Sequence, residues 1–291
     1  MNPPKIDAFV LAAGKGMRAR PLSLVKPKPL FPLGGVPLIR LLLEQLSGPG
    51  TARVFVNLYY RGSDIRNSLG DMDGVEFLGE ETLSGSRILA FPRGVDPRPL
   101  LVVNGDVFMD IPVEAILREY RRVSCDGVLL VRRRTDASYK AVIEESGWFR
   151  GTRRSSGNHE IMYCGAGLFS PRMLAAIRHD SFFQSLEGSS LRVRLVEYSG
   201  IWLDLGTPAL YHRACFNFLE RAGLPESAAC SPSARIDGSV RLKRTILWDN
   251  VILGPDTSLD HVILADGVRL HGGSSRYRVI TRDSNVPLGI A

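Results

Sequence analysis

Uninterrupted apolar runs alternate with stretches of helical period through the first two thirds of the chain. Residues 6–12 form an apolar run that stops at a glycine-rich turn, the pattern of a buried strand. Residues 53–58, 100–104, 127–131, 163–169 and 192–198 repeat the theme and are predicted as strands. Apolar residues at helical spacing predict helices over 37–46, 112–120 and 208–221, each with proline in its first turn. Apolar strands alternating with helices predict an α/β fold: a Rossmann-like, mostly parallel mixed sheet with helices on both faces.

The pattern changes near Gly223. Residues 222–234, AGLPESAACSPSA, have the composition of a linker. Short apolar triples then recur, VRL at Val240, VIL at Val251, VIL at Val262 and VRL at Val268, separated by Gly, Asp, Asn, Pro and Ser. Short strands between close turns predict a β-helix built from near-hexapeptide units. The expected division is residues 1–222 and 223–291, the latter a linker and a short β-helix whose exposed edge invites homo-oligomer pairing.

With 291 residues, 44% hydrophobic, the chain can bury one large core and one small one. No apolar run approaches the roughly eighteen residues of a membrane helix. The start, MNPPKID, lacks the features of a signal peptide, so a cytoplasmic protein without a membrane partner is expected. Cys125, Cys164, Cys215 and Cys230 lack metal-like or redox-like spacing and read as structural thiols. The formal charge of +7 favours anionic partners. Arg132–Arg134 and Arg153–Arg154 read as solvated loops between strands, and without an aromatic signature they do not predict nucleic-acid binding.

Three strings carry chemistry. The first is VLAAGKGMRARPLSLVKPKPLFPLGGVPLI from Val10. Gly14 and Gly16 let backbone N–H groups approach phosphate. Arg18 follows as a planar fork, and Lys28, held between Pro27 and Pro29, as a fixed point charge. In the second, VVNGDVFMDIP, an apolar strand ends at Asn104-Gly105-Asp106, where a parallel sheet binds ligands and an acid suits Mg²⁺. The third is GIWLDLGTPALYHRA from Gly200, in which Asp204 precedes a helix and either Asp204 or Thr207 could cap it.

The first string resembles the N-terminal signature of the sugar-nucleotide pyrophosphorylases, nucleotidyltransferases acting on hexose 1-phosphates. The resemblance implies that the backbone of Leu11, Ala12, Ala13 and Gly14 lies near base and ribose, and that Arg18 and Lys28 bind the triphosphate and act in catalysis. It makes Asp106 and Asp204 the carboxylates of one Mg²⁺, Asp204 through an element similar to W-x-D-x-G-T-P. Glu81 and Gly85 occupy the slot of a base-reading loop. Asn104 and Gly165, the latter in YCGAGLFSP, fall on the sugar-phosphate side. The tail is similar to a left-handed β-helix that many members append. A Glu-Lys-Pro element common in the family is missing between Val142 and Gly167, where Glu144, Glu145 and Lys140 are alternatives.

The implied partners are a nucleoside triphosphate and a sugar 1-phosphate, joined by in-line displacement with loss of pyrophosphate. None of the five histidines needs a catalytic role, and surface or capping positions are expected for them. A second reading is a catalytically inactive, sugar-nucleotide-binding regulatory homologue. An acyltransferase tail lacks partners for His261 and His271. A Rossmann oxidoreductase lacks the third glycine and the distal acid.

Overall fold

The computed structural model describes residues 5–48, 50–70, 72–79, 98–134, 139–157, 159–177 and 182–289. A nine-stranded sheet runs in the order Val75–Gly79, Thr51–Leu58, Ile6–Leu11, Leu100–Asn104, Glu160–Phe169, Gly127–Arg134, Val193–Glu197, Trp148–Arg154, Lys140–Glu145. The first four strands are mutually parallel. Glu160–Phe169 runs antiparallel to both neighbours, and Val193–Glu197 parallel to Gly127–Arg134. The last two strands are an antiparallel hairpin at the sheet edge.

Side-chain alternation explains why the strand sequences are apolar throughout. Ala8 and Val10 enter one core while Phe9 enters the other, so both faces are covered. Helix Leu38–Leu46 packs on the first face through Leu38, Ile39, Leu42, Leu43 and Leu46, which recur at helical spacing. Pro208–Arg221 joins the same face through Tyr211, Ala214 and Cys215. Met173, Phe182 and Leu186 from two short helices cover the other.

From Ala228 to Ile280 the strands stack in parallel coils, and Asn285–Pro287 then pairs antiparallel with Gly273–Ile280. Arg235 lies opposite Ile252 and Ile252 opposite Arg269, an offset of 17 residues per step. Three near-hexapeptide units make one such coil, consistent with a β-helix in which the triple at Val251 stacks on that at Val268, while those at Val240 and Val262 stack on Ser258–Asp260 and on Ile246–Leu247. Its core holds Leu247, Val251, Leu253, Val262 and Leu264. The stack docks on the rest of the chain through Trp248, whose ring lies 5.1 Å from that of Phe31 and whose Nε1 donates to the Tyr211 hydroxyl at 2.9 Å.

The basic clusters are corrected: they lie in strands, not loops. Arg132–Arg134 belong to Gly127–Arg134, and Arg153 and Arg154 to Trp148–Arg154. Arg153 pairs with Glu160 at 2.5 Å and Arg133 with Glu197 at 3.5 Å. His212 is also corrected, being buried where its helix meets the β-helix rather than at a surface or cap. All four cysteines are free thiols, as expected.

Candidate active site

The site lies at the C-terminal ends of the parallel strands. Where Ile6–Leu11 ends, the Ala12 N–H donates to the buried Asn57 Oδ1 at 2.6 Å, tying the glycine turn to the next strand. The Gly105 N–H donates to the Leu11 carbonyl at 3.0 Å, and a Cβ at Gly105 would stand 2.9 Å from that oxygen. Leu11, Ala12, Ala13 and Gly14 are thus drawn against the strand end carrying Asn104 and Asp106. Gly16 has φ of 60°, a left-handed conformation that glycine adopts without Cβ strain. The Ser23 hydroxyl donates to its carbonyl at 2.7 Å, closing the loop.

Lys28 follows from that closure. Its side chain passes under Gly16, is almost wholly buried, and its Nζ meets Asp106 Oδ2 at 2.5 Å. The Asp106 carboxylate is 32% exposed, open enough to take further ligands.

Asp204 is brought to Asp106 by a separate two-stranded ribbon. Val107–Met109 pairs antiparallel with Trp202–Asp204, placing Asp204 opposite Val107, and the Leu205 N–H reaches the Asp106 carbonyl at 3.4 Å. The helix cap that the sequence left open is Thr207, whose hydroxyl accepts from the Leu210 N–H at 3.2 Å. Asp204 instead accepts from the Gly206 N–H at 2.7 Å and from the Tyr139 hydroxyl. Arg18 arrives here too: a Cβ at Gly206 would stand 2.9 Å from Asp204 Oδ1 and 3.2 Å from Arg18 Nη2. Arg18, Lys28, Asp106 and Asp204 therefore converge from three segments.

On the other flank, Gly165 interrupts the pairing of Glu160–Phe169 with its neighbour and has φ of 89°. A Cβ there would stand 2.9 Å from Asn104 Nδ2, so these two residues also adjoin. Glu144 and Glu145 bond within their own edge hairpin, to the Gly147 N–H and to Arg150, while Lys140 is exposed at the other end of that strand, opposite Arg154 and next to Tyr139. Glu81 and Gly85 lie outside the described residues.

Sequence reasoning missed Asn57, Tyr139 and Lys26. Lys26 bonds Asp249 at 2.8 Å and Asp266 at 3.2 Å, with Nζ 5.3 Å from the Trp248 ring centroid. The β-helix thereby grips the loop two residues before Lys28. The -Lys-Pro-Lys-Pro- spacing was visible, but both acids are distant in the chain.

A mixed sheet with acids and cations gathered at one strand-end cleft defines a nucleotidyl-transfer fold, and the comparisons agree. The model of the MobA-like NTP transferase domain matches residues 8–234, and the chain belongs to that family. Among its relatives, the N-acetylmuramate alpha-1-phosphate uridylyltransferase of Neisseria meningitidis is 30% identical, over 69% of this chain and 94% of that protein. The mannose-1-phosphate guanylyltransferase of Mycobacterium tuberculosis is 23% identical over 92% of this chain and 82% of its own length. Similar solved structures include HddC from Yersinia pseudotuberculosis, with TM-score 0.62 and 22% identity over 73% of this chain and 99% of that one. A UDP-glucose pyrophosphorylase from Acinetobacter baumanii superposes with TM-score 0.65 and 14% identity over 76% of this chain and 95% of that one. These structures share the fold. The resemblance read from the N-terminal string is borne out.

Proposed function

We propose that this chain transfers a nucleotidyl group from a nucleoside triphosphate to a sugar 1-phosphate, giving an NDP-sugar and pyrophosphate. The observation that carries the reading is the meeting of Lys28 and Asp106 beside Asp204 and Arg18. A phosphate oxygen of the sugar 1-phosphate attacks the α-phosphorus, a new P–O bond forms, and the α–β bridging bond breaks.

Two carboxylates on neighbouring backbones, Asp106 part-exposed, suit a hard, oxygen-seeking cation that keeps waters and phosphates in its shell. Asp106 and Asp204 would hold Mg²⁺, which when bound neutralises charge on the phosphates. Lys28 and Arg18 offset the negative charge of the triphosphate and of the departing pyrophosphate. The loop of residues 11–14 orients the nucleoside, and Asn104 with Gly165 leaves room for the sugar phosphate. Both reactants are anions, so orientation and charge compensation carry the acceleration, and no side-chain nucleophile is needed.

The test is pyrophosphate release from purified protein given Mg²⁺, five nucleoside triphosphates and a set of sugar 1-phosphates. Asp106→Asn and Lys28→Ala should each lower the rate by about a hundredfold or more while the fold is retained. Full activity in both variants refutes the assignment. Nucleotide binding without product in the wild type would favour the regulatory reading.

A further inference from the structure

Lys28 stands between two residues that cannot donate a backbone hydrogen bond. Pro27 and Pro29 lack N–H groups, so the backbone around this lysine has little of its own to fix it, and neighbouring side chains must do so. Up to Val25 they come from the loop after Thr51–Leu58. The Tyr60 hydroxyl donates to the Ser23 carbonyl at 3.1 Å, and Arg61 Nη1 donates to the Leu24 carbonyl at 2.6 Å and to that of Val25.

The C-terminal coil stack holds both ends of the next stretch. Before Lys28, Lys26 Nζ bonds Asp249 and Asp266 and lies over the Trp248 ring. After it, the Phe31 ring packs against those of Trp248 and Tyr211, at 5.1 and 5.0 Å. Tyr211, which accepts from Trp248 Nε1, donates its hydroxyl to the Pro32 carbonyl at 2.9 Å. Trp248 and Asp249 are consecutive and braced by the coils on either side. The Trp248 N–H donates to the Leu264 carbonyl at 2.9 Å, the Asp249 N–H to Asp266 Oδ1 at 3.1 Å, and the Ser231 hydroxyl to Asp249 Oδ1 at 2.6 Å. One corner of the stack thus grips the chain at Lys26 and again at Phe31. Between the grips, the Lys28 side chain runs under Gly16 to Asp106 Oδ2.

We propose that Lys26 is a positioning residue, through which the coil stack sets where the Lys28 amine stands opposite Asp106. The inference deepens the nucleotidyl-transfer reading, in which Lys28 meets the triphosphate. A displacement of about 1 Å in such a site can cost about a hundredfold, so a grip two residues away bears on phosphate binding without touching phosphate.

Two measurements on the full chain test this, the first without ligand. In Lys26→Met, hydrogen exchange at the backbone amides of Lys28, Leu30 and Phe31 should quicken about tenfold or more, with strands Ile6–Leu11 and Leu100–Asn104 unchanged. Calorimetric titration with Mg²⁺ and ATP, CTP, GTP, UTP or dTTP should show about tenfold weaker binding of the triphosphate that the wild type binds best. Lys26→Arg, which keeps the charge, should retain most of that affinity. The double variant Asp249→Asn/Asp266→Asn, altered only on the coil stack, should reproduce the Lys26→Met loss. The deciding comparison is made in Lys28→Ala, where adding Lys26→Met should change triphosphate affinity by less than about twofold, because a residue acting through Lys28 has nothing left to position. An equal loss in both backgrounds overturns the proposal, as does unchanged exchange at the three amides, unchanged affinity in Lys26→Met, or exchange that quickens equally in the two strands. If no triphosphate binds the wild type while exchange quickens at the three amides alone, the nucleotidyl-transfer reading fails and the grip on Lys28 stands.

Discussion

Replacing Lys26 with Met removes the cation that joins the loop before Lys28 to the C-terminal coil stack and keeps much of its apolar stem. Lys26 is 16% exposed, while Asp249 and Asp266 are 51% and 29% exposed. Breaking a buried pair on one side costs about 3–5 kcal/mol, and an exposed pair about 0–1. This half-screened triad falls between, at about 2 kcal/mol, a drop in Tm of roughly 5 °C for a chain of this size. The pH dependence follows from the two acids. Burial raises the Asp249 pKa, but hydrogen bonds from Lys26 and Ser231 outweigh it and leave the carboxyl below its usual value. Burial keeps Asp266 above its usual value despite Lys26. Without Lys26 both pKa values rise, so the variant's folded state is penalised most where both acids are ionised. Scanning calorimetry should show the largest Tm gap from wild type near pH 7, shrinking as pH falls through the carboxylate range. No gap at pH 7, or a gap that widens on acidification, refutes the reasoning.

Two further outcomes are expected. Gly206→Ala should cut pyrophosphate release by about a hundredfold with little change in Tm, because its Cβ would press on the Asp204 carboxylate and Arg18; normal rates would show that those two side chains can be displaced without consequence. Burial pushes the His212 pKa down to about 4, with partial offset from its bond to the Arg244 carbonyl. A histidine held neutral in the fold loses stability as pH falls from about 6.5 towards 4, by at most about 3 kcal/mol. His212→Gln should flatten that part of the Tm–pH curve, and an unchanged slope would mean that His212 does not titrate there.

The parallel half of the sheet was readable because its strands are buried on both faces and end at glycine turns. The edge strands Lys140–Glu145 and Trp148–Arg154 were not, since KAVIEE and WFRGTRR are half-exposed and too polar to signal a period. Three successive arginines read as a loop because charge in a strand is stabilised by tertiary partners. Trp202 and Glu197, which face Arg132 and Arg133, are more than sixty residues away in the chain. Arg18, Lys28 and Asp106 stood out locally because glycine and proline constrain backbone near them. Tyr139 and Asn57 carried no such punctuation, and only the folded chain shows that they hold Asp204 and Ala12.

The meeting of the two acids depends on the register of a very short ribbon. Trp202, Leu203 and Asp204 lie opposite Met109, Phe108 and Val107. Alternation along that strand puts Asp204 on the same side as Trp202, and a one-residue slip would turn Asp204 to the side Leu203 now occupies. Three residue pairs are too few to prevent such a slip, so side chains must do it. Trp202 is anchored by its bond to the Cys164 carbonyl, and Phe108 packs edge-on against Phe218 of the last helix at 5.2 Å. That helix begins at Pro208, four residues after Asp204, capped by Thr207. Aromatic packing around the ribbon therefore decides where the Asp204 carboxylate stands, and a change at Phe218 would reach it through Phe108 by packing alone.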